Sequence, residues 1–338
     1  MHFTDISNFL SKLNARKVYN AGLVLASFYY SKFTGKAKQL GIPFNVSIEP
    51  TTNCNLGCPE CPSGLKNFTR PTGNIDLALY HKTIDELSSQ LIYLYFYFQG
   101  EPYLHPRFLE LVHYAATKNI YTVTSTNAHF LTTRKAKETV ESGLDRILIS
   151  IDGTTQETYE QYRIGGNLQK VLEGARNLVL AKRELKSRTP HIVFQFLVVR
   201  PNEHQINEVK KLADEIGVDE VKFKTAQLYD FENGNKLMPI DSKYSRYKKQ
   251  PNGQYIIKNE LHNHCWKLWH STVITWDGKI VPCCFDKDAQ HTMGNLNQQT
   301  FSEIWQGDAF NSFRTRILKG RKELDICTNC SEGTKVWA

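Results

Sequence analysis

Three cysteines on one short loop, Cys54-Asn55-Leu56-Gly57-Cys58-Pro59-Glu60-Cys61, limit what this chain can be. The loop follows an apolar, strand-like run from Phe44 to Ile48. Thiolates this close together hold three corners of a cubic iron–sulfur cluster and leave the fourth iron without a protein ligand. An iron left open is built to bind something else, as a catalytic zinc site keeps one open position. Zinc is the competing reading of the same spacing. Five further cysteines, Cys265, Cys283, Cys284, Cys327 and Cys330, gather near the C-terminus after the cysteine-free interval 62–264. A secreted disulfide scaffold is shorter and more evenly studded. Met1-His2-Phe3-Thr4-Asp5 lacks the basic segment and apolar core of a signal peptide. The best apolar stretch, Val18 to Tyr30, is too short to span a bilayer and contains Asn20. A reducing, cytoplasmic compartment is expected.

The Cys-x3-Cys-x2-Cys loop after a first strand resembles the radical S-adenosylmethionine (radical SAM) family. Many of its members have an aromatic residue just before the third cysteine, where this chain has Glu60. The resemblance implies that the open iron chelates the amino and carboxylate groups of S-adenosylmethionine (SAM). It also implies that one electron then breaks the sulfonium bond to give a 5′-deoxyadenosyl radical. Cys54, Cys58 and Cys61 are the implied catalytic ligands.

The remaining chain is organised around that loop. Its 338 residues, 41% hydrophobic and 22% charged, suffice for one large unit and a smaller one. Residues 1–41 read as a helical arm of one or two helices, with Phe9, Leu10, Leu13, Val18 and Leu23 as apolar positions and six basic residues between Lys12 and Lys38. The favoured expectation is an arm packed on the barrel with a solvated basic face. Docking on an anionic membrane surface is the less favoured one. Over 42–225, strands at 44–49, 91–98, 120–125, 146–151, 191–199 and 219–224 alternate with helices near 75–90, 106–118, 133–142, 167–184 and 203–216. Pro106 is placed in a helix's first turn, and Gly143 and Gly217 at helix ends. This α/β pattern predicts a parallel sheet. Six units are too few for a closed eight-stranded barrel, and the resemblance implies a partial (β/α)6 TIM-like barrel. Residues 226–262 turn polar and read as a linker or substrate-covering loop. Residues 263–338 form the expected small C-terminal domain.

Ligands of parallel α/β sheets sit at the carboxyl ends of the strands. After the second strand comes Gln99-Gly100-Glu101-Pro102, similar to the family's Gly-Gly-Glu-Pro segment with Gln99 in place of the first glycine. The resemblance assigns Gly100 and Glu101 to the amino group of SAM. After the third strand, Ser125-Thr126-Asn127 resembles Thr-Asn-Gly, with Ala128 where glycine is usual. Ser150-Ile151-Asp152-Gly153 resembles a segment contacting the ribose and carboxylate, and an arginine placed like Arg163 pairs with the carboxylate in related enzymes. Gln195 at the fifth strand end is an adenosine or ribose candidate. Asn127, Ser150, Asp152, Arg163 and Gln195 thus join Gly100 and Glu101 as implied cofactor-binding residues.

Near the C-terminus, Thr272–Pro282 alternates around Asp277-Gly278, a β-hairpin signal. Phe301-Ser302-Glu303-Ile304-Trp305 starts a helix. With Cys265, Cys283 and Cys327-x2-Cys330, these features resemble the short SPASM-type extension that carries one auxiliary four-iron cluster. Four thiolates leave no open iron, so one of five cysteines is surplus. Neighbours in a strand face opposite ways, so only one of Cys283 and Cys284 serves, and Cys283 matches the family position. Structural zinc suits a four-cysteine set equally well.

The implied function is hydrogen abstraction from a small, anionic substrate, such as a dehydrogenation, using two [4Fe–4S] clusters, SAM, and a reductase such as flavodoxin or ferredoxin. The anion is suggested by the net charge of +8 and by Lys224 at the end of the sixth strand, facing as Lys222 does. Asp219 or Glu220 is the competing partner for these lysines. A peptide-modifying radical SAM maturase is one alternative, though 1–41 is short for a peptide-recognition domain. A non-catalytic iron–sulfur or zinc protein is another. No dense Lys/Arg block or nucleic-acid motif is present, and no nucleic-acid partner is expected.

Overall fold

Six apolar segments become the parallel strands β1 (Asn45–Ile48), β2 (Tyr93–Phe96), β3 (Tyr121–Thr126), β4 (Arg146–Ser150), β5 (His191–Val198) and β6 (Glu220–Thr225) in the computed structural model, which describes residues 3–336. Met1, His2, Trp337 and Ala338, the ends of the expected arm and C-terminal domain, lie outside the described residues. The strands pair in sequence order, each parallel to the next. Helices Leu77–Leu87, Phe108–Thr117, Thr133–Glu141, Leu168–Glu184 and Ile206–Ile216 return the chain between them. This is the expected partial (β/α)6 barrel. Gly143 (φ +79°) and Gly217 (φ +88°) end their helices in the left-handed conformation expected of them. Pro106 does not start a helix: it lies in the turn before Arg107, the N-cap of Phe108–Thr117, because the short 3-10 helix Pro102–Leu104 has already turned the chain there.

Side chains alternate between two environments along every strand. Leu94, Phe96, Ile147, Ile149, Phe194 and Phe196 are fully buried in the main apolar core. The other set faces the barrel interior, where Tyr121, Val123, Leu148 and Val193 form a separate apolar layer. The lower end is closed by α1 (Phe3–Ser11). Its Phe9 stacks on Tyr93 with ring centroids 4.9 Å apart, and its Asp5 accepts from the Tyr121 hydroxyl and pairs with Arg146.

Helix α2 (Ala15–Thr34) packs with Val24 and Phe28 in the main core and keeps Arg16 and Lys32 exposed, but polar residues share its buried face. Lys17, Asn20, Ser27 and Ser31 are buried, while Leu10 of α1 and Val18 are exposed. The reason is local: the surface beneath α2 presents backbone donors and acceptors that polar side chains satisfy. Among the described residues no helix is long and apolar enough to cross a membrane.

The C-terminal hairpin does not stand apart from the barrel. Its first strand, β9 (Ser271–Ile274), pairs in parallel with β1, residue for residue from Asn45–Ser271 to Ile48–Ile274. Strands β10 (Lys279–Val281) and β11 (Gly294–Asn295) continue antiparallel, giving a nine-stranded sheet. Helix Phe301–Gln306 opens on a capping box between Thr300 and Glu303. The polar segment before β9 contains a separate antiparallel hairpin, β7 (Tyr247–Lys249) and β8 (Tyr255–Ile257).

Candidate functional site

A cavity of about 250 Å³ opens at the carboxyl ends of the first five strands. Cys54, Cys58, Cys61, Gly100, Glu101, Asn127, Ser150, Arg163 and Gln195 all line it, together with Tyr97, Ser125 and Tyr162. The cysteine loop is held by backbone bonds rather than regular structure. Gly57 N–H donates to Ile164 O at 2.9 Å, Glu101 N–H to Asn53 O at 2.7 Å, and Gly100 N–H to Ser63 Oγ at 2.8 Å. Gly100 has φ +76°, and a Cβ there would meet Thr51 O at 2.2 Å, so only glycine lets the β2 turn lie against the loop.

Burial pushes the Cys54 thiol up to about 11, and the negative charge of Glu101 and the other two cysteines adds to it. Burial also raises Cys58, against the pull of the Arg163 guanidinium, whose Nη1 lies 3.7 Å from its sulfur. Thiols so placed stay protonated until a cation replaces their protons. An all-sulfur donor set that needs a compensating cation fits an iron–sulfur cluster. Among the described residues no three Cys, His, Asp or Glu side chains converge closely enough for a single ion. A cubane presents separate irons to separate thiolates and does not require that convergence.

Glu101 is buried, accepting from Asn127 N–H at 2.7 Å and the Thr126 hydroxyl at 2.7 Å. Burial nevertheless lifts its carboxyl to about 7. Asn127 donates through its side chain to Asn55 Oδ1 at 2.8 Å, tying the β3 turn to the cysteine loop. Asp152 alone among the expected SAM contacts is not on the cavity wall. It is fully buried, pairs with Arg163 Nε, and accepts from Leu197 N–H at 2.7 Å. Its short side chain is spent on Arg163, which is the group that reaches the cavity.

Lys224 is exposed beyond the cavity, opposite Leu197 in the β5–β6 register and two residues along from Lys222. Glu220 pairs with Lys222 at 3.5 Å and Asp219 with Lys182 at 2.8 Å. Among the described residues no carboxylate comes within ion-pair distance of Lys224.

Several supporting residues were not singled out from the sequence. Glu49, at the end of β1, receives Arg70 Nη1 at 2.8 Å and Nη2 at 2.6 Å, and both side chains are buried. Trp276 N–H also donates to Glu49 at 3.2 Å, so this pair joins the barrel to the C-terminal hairpin. Glu60 accepts from Tyr229 N–H at 2.8 Å, fastening the polar segment over the loop. Leu228, Leu237, Met238 and Tyr247 of that segment pack with Leu56, Cys58 and Tyr162. A charged residue and a distant loop carry no periodic signal, so neither contact was legible beforehand.

Cys265, Cys283, Cys327 and Cys330 line a second, smaller cavity, and Cys284 does not. Cys284 is exposed, with Lys267 Nζ 3.9 Å from its sulfur. Burial pushes Cys330 up to about 12 and raises Cys327, with the Arg321 guanidinium opposing. Arg321 Nη2 lies 3.4 Å from Cys330 Sγ. Gly333 (φ +73°) closes the site so tightly that a Cβ would meet Cys265 Sγ at 2.4 Å. Four sulfurs beside a buried cation again fit an iron–sulfur group. Asn329, between the last two cysteines, accepts from the Tyr247 hydroxyl at 2.9 Å, so β7 bridges the two sites.

Residues 48–216 match the family model of the Radical SAM superfamily, and residues 265–331 match that of the iron-sulfur cluster-binding SPASM domain. The chain is 26% identical over 316 residues to the tungsten-containing aldehyde ferredoxin oxidoreductase cofactor-modifying protein of Pyrococcus furiosus, covering 84% of this chain and 86% of that protein. It is 26% identical over 314 residues to the PqqA peptide cyclase of Gluconobacter oxydans, covering 87% and 84%. Among solved structures, BtrN in complex with AdoMet and 2-DOIA superposes with a TM-score of 0.54 at 20% identity, over 88% of this chain and 96% of that one.

Proposed function

The chain belongs to the Radical SAM superfamily, as an enzyme whose cofactors are [4Fe–4S] clusters and SAM, and from that premise we propose that it abstracts hydrogen from a small, anionic molecule at the mouth of the barrel. The observation that carries this reading is a shared cavity onto which the three cysteines open together with Gly100, Glu101, Asn127, Ser150, Arg163 and Gln195. When bound, the cluster and SAM supply a 5′-deoxyadenosyl radical. Everything else falls to the residues of this chain.

Cys54, Cys58 and Cys61 hold the first cluster, and the apolar cover from Leu228, Leu237, Met238 and Tyr247 keeps water from it. Glu101, with the backbone at Gly100, accepts from the amino group of SAM. Arg163 takes the carboxylate, and Asp152 acts through it as a positioning residue. Ser150, Asn127 and Gln195 offer short hydrogen-bonding groups to the ribose and adenosine. Cys265, Cys283, Cys327 and Cys330 hold the second cluster. The proposed reaction class is dehydrogenation: a flavodoxin or ferredoxin would supply the electron for SAM cleavage, one hydrogen atom would leave with the 5′-deoxyadenosyl group, and the electron left on the substrate would pass to the second cluster as a proton departs.

A small substrate is favoured over a peptide because both N-terminal helices are committed to the fold. One closes the barrel and the other packs on the C-terminal segment, with Phe28 against Trp266 and Trp269. That leaves no separate unit at residues 3–34 to grip a peptide. Anaerobically reconstituted, dithionite-reduced protein is expected to convert SAM to 5′-deoxyadenosine and methionine, slowly even without substrate. Chromatography decides it. Cluster-replete protein that forms no 5′-deoxyadenosine, with or without candidate substrates, favours the non-catalytic alternative.

A further inference from the structure

Helix α2 carries apolar groups on both of its faces. Val24 and Phe28 are buried in the main core, and the same protein-facing side holds Lys17, Asn20, Ser27 and Ser31, each with a fixed partner. Lys17 Nζ donates to Asn119 O at 2.6 Å and to Lys12 O at 3.1 Å. Asn20 makes a reciprocal pair with the backbone of Ile42, at 2.8 and 2.9 Å. Ser27 Oγ accepts from Leu40 N–H at 2.8 Å, and Ser31 Oγ from Lys38 N–H at 2.9 Å. Leaving such buried groups unpaired is costly, so these bonds set the rotation of the helix about its axis.

The side turned outward is apolar as well. Val18 is 56% exposed, Tyr19 69%, Tyr30 50% and Phe33 79%, and Tyr29 is exposed as well. At roughly 100° per residue, these positions with Ala15, Gly22 and Ala26 fill one sector about 120° wide. No charged residue falls inside it. Arg16 and Lys32 flank the sector on either side, and Lys36 and Lys38 follow the helix, all exposed. A helix of this length runs about 30 Å, which makes the stripe far more extended than the scattered apolar residues of an ordinary surface.

We propose that the outer face of α2 docks on the surface of an anionic lipid bilayer, lying flat in the interface. The chemistry selects lipid over another protein. Tyrosines place an apolar ring at headgroup depth while the hydroxyl stays wet, and Phe33 and Val18 can sink further. Arg16, Lys32, Lys36 and Lys38 ring the stripe with positive charge only, which complements acidic headgroups, and the whole chain carries +8.

The test uses the full-length, cluster-loaded protein in flotation with two vesicle preparations, pure phosphatidylcholine and phosphatidylcholine with phosphatidylglycerol. Wild type is expected to float with the acidic vesicles and to be released by high salt. Tyr19→Ser/Phe33→Ser should lower the partition at least about tenfold, since two large apolar groups no longer enter the interface. Arg16→Gln/Lys32→Gln should weaken binding to the acidic vesicles only. Both variants should retain wild-type iron content and 5′-deoxyadenosine formation, so a misfolded variant would be recognised. Wild type that stays unbound on acidic vesicles overturns the proposal. So does a concentration-dependent dimer abolished by Tyr19→Ser/Phe33→Ser without vesicle binding, which would make the face a contact between two copies. Floating equally well with both vesicle types overturns the electrostatic part.

Discussion

Glu101 offers the sharpest test of how SAM is held. Its carboxyl sits in the protein interior with a value raised from 4.5 to about 7, burial outweighing the bonds from Asn127, Thr126 and Tyr103. The sign follows from linkage. In the unfolded chain the group ionises near 4.5, in the folded one near 7, so stability falls as pH rises from the first value through the second. An amino group that donates to the carboxylate reverses that cost, but only for the ionised form. Below pH 7 each unit of acidification should therefore raise the Kd for SAM about tenfold, as a proton must first leave. Above pH 7 the dependence should flatten. Glu101→Gln removes the charge while keeping one acceptor for Asn127 or Thr126. Losing a hydrogen bond to a charged acceptor costs about 1.5–3 kcal/mol, so Kd should rise roughly tenfold or more, with the slope below pH 7 gone. Equilibrium dialysis of SAM against reconstituted protein between pH 6 and 8 measures both, with iron content and urea unfolding as controls. A flat wild-type profile, or a variant with unchanged Kd and full iron, would refute the role.

Three further outcomes are expected. Wild type should carry about eight iron and eight sulfide as two cubanes; Cys283→Ala should lose about half, Cys284→Ala none, and equal loss in both variants would contradict the assignment. Arg70→Met leaves Glu49 buried and unpaired and should destabilise by about 3–5 kcal/mol in urea unfolding, while Glu49→Leu/Arg70→Met recovers most of it. A double variant no more stable than the single one refutes that account. Once a substrate is identified, Lys224→Met should raise its Kd at least about tenfold without touching uncoupled SAM cleavage, and unchanged affinity would make Lys224 a surface charge only.

The sequence by itself determined the elements and the chemistry. Period-two and helical patterns located all six barrel strands to within a few residues, because those patterns reflect burial that any packed α/β sheet must provide. Cys54, Cys58 and Cys61 declared themselves because ligands on one loop are close in sequence and in space. The tertiary structure decided what depends on neighbours distant in the chain. It turned Asp152 toward Arg163, put Cys283 beside three sulfurs and Cys284 outside, and joined Glu49 to Arg70 across the cysteine loop. It also laid β9 against β1, which no local pattern specifies. Above all it fixed the rotation of α2. Val18 reads as an apolar position of a packed arm, yet the hydrogen bonds that Lys17, Asn20, Ser27 and Ser31 make with backbone outside the helix turned it out. Apolar periodicity shows that a helix has two faces; only the groups beneath it decide which one is buried.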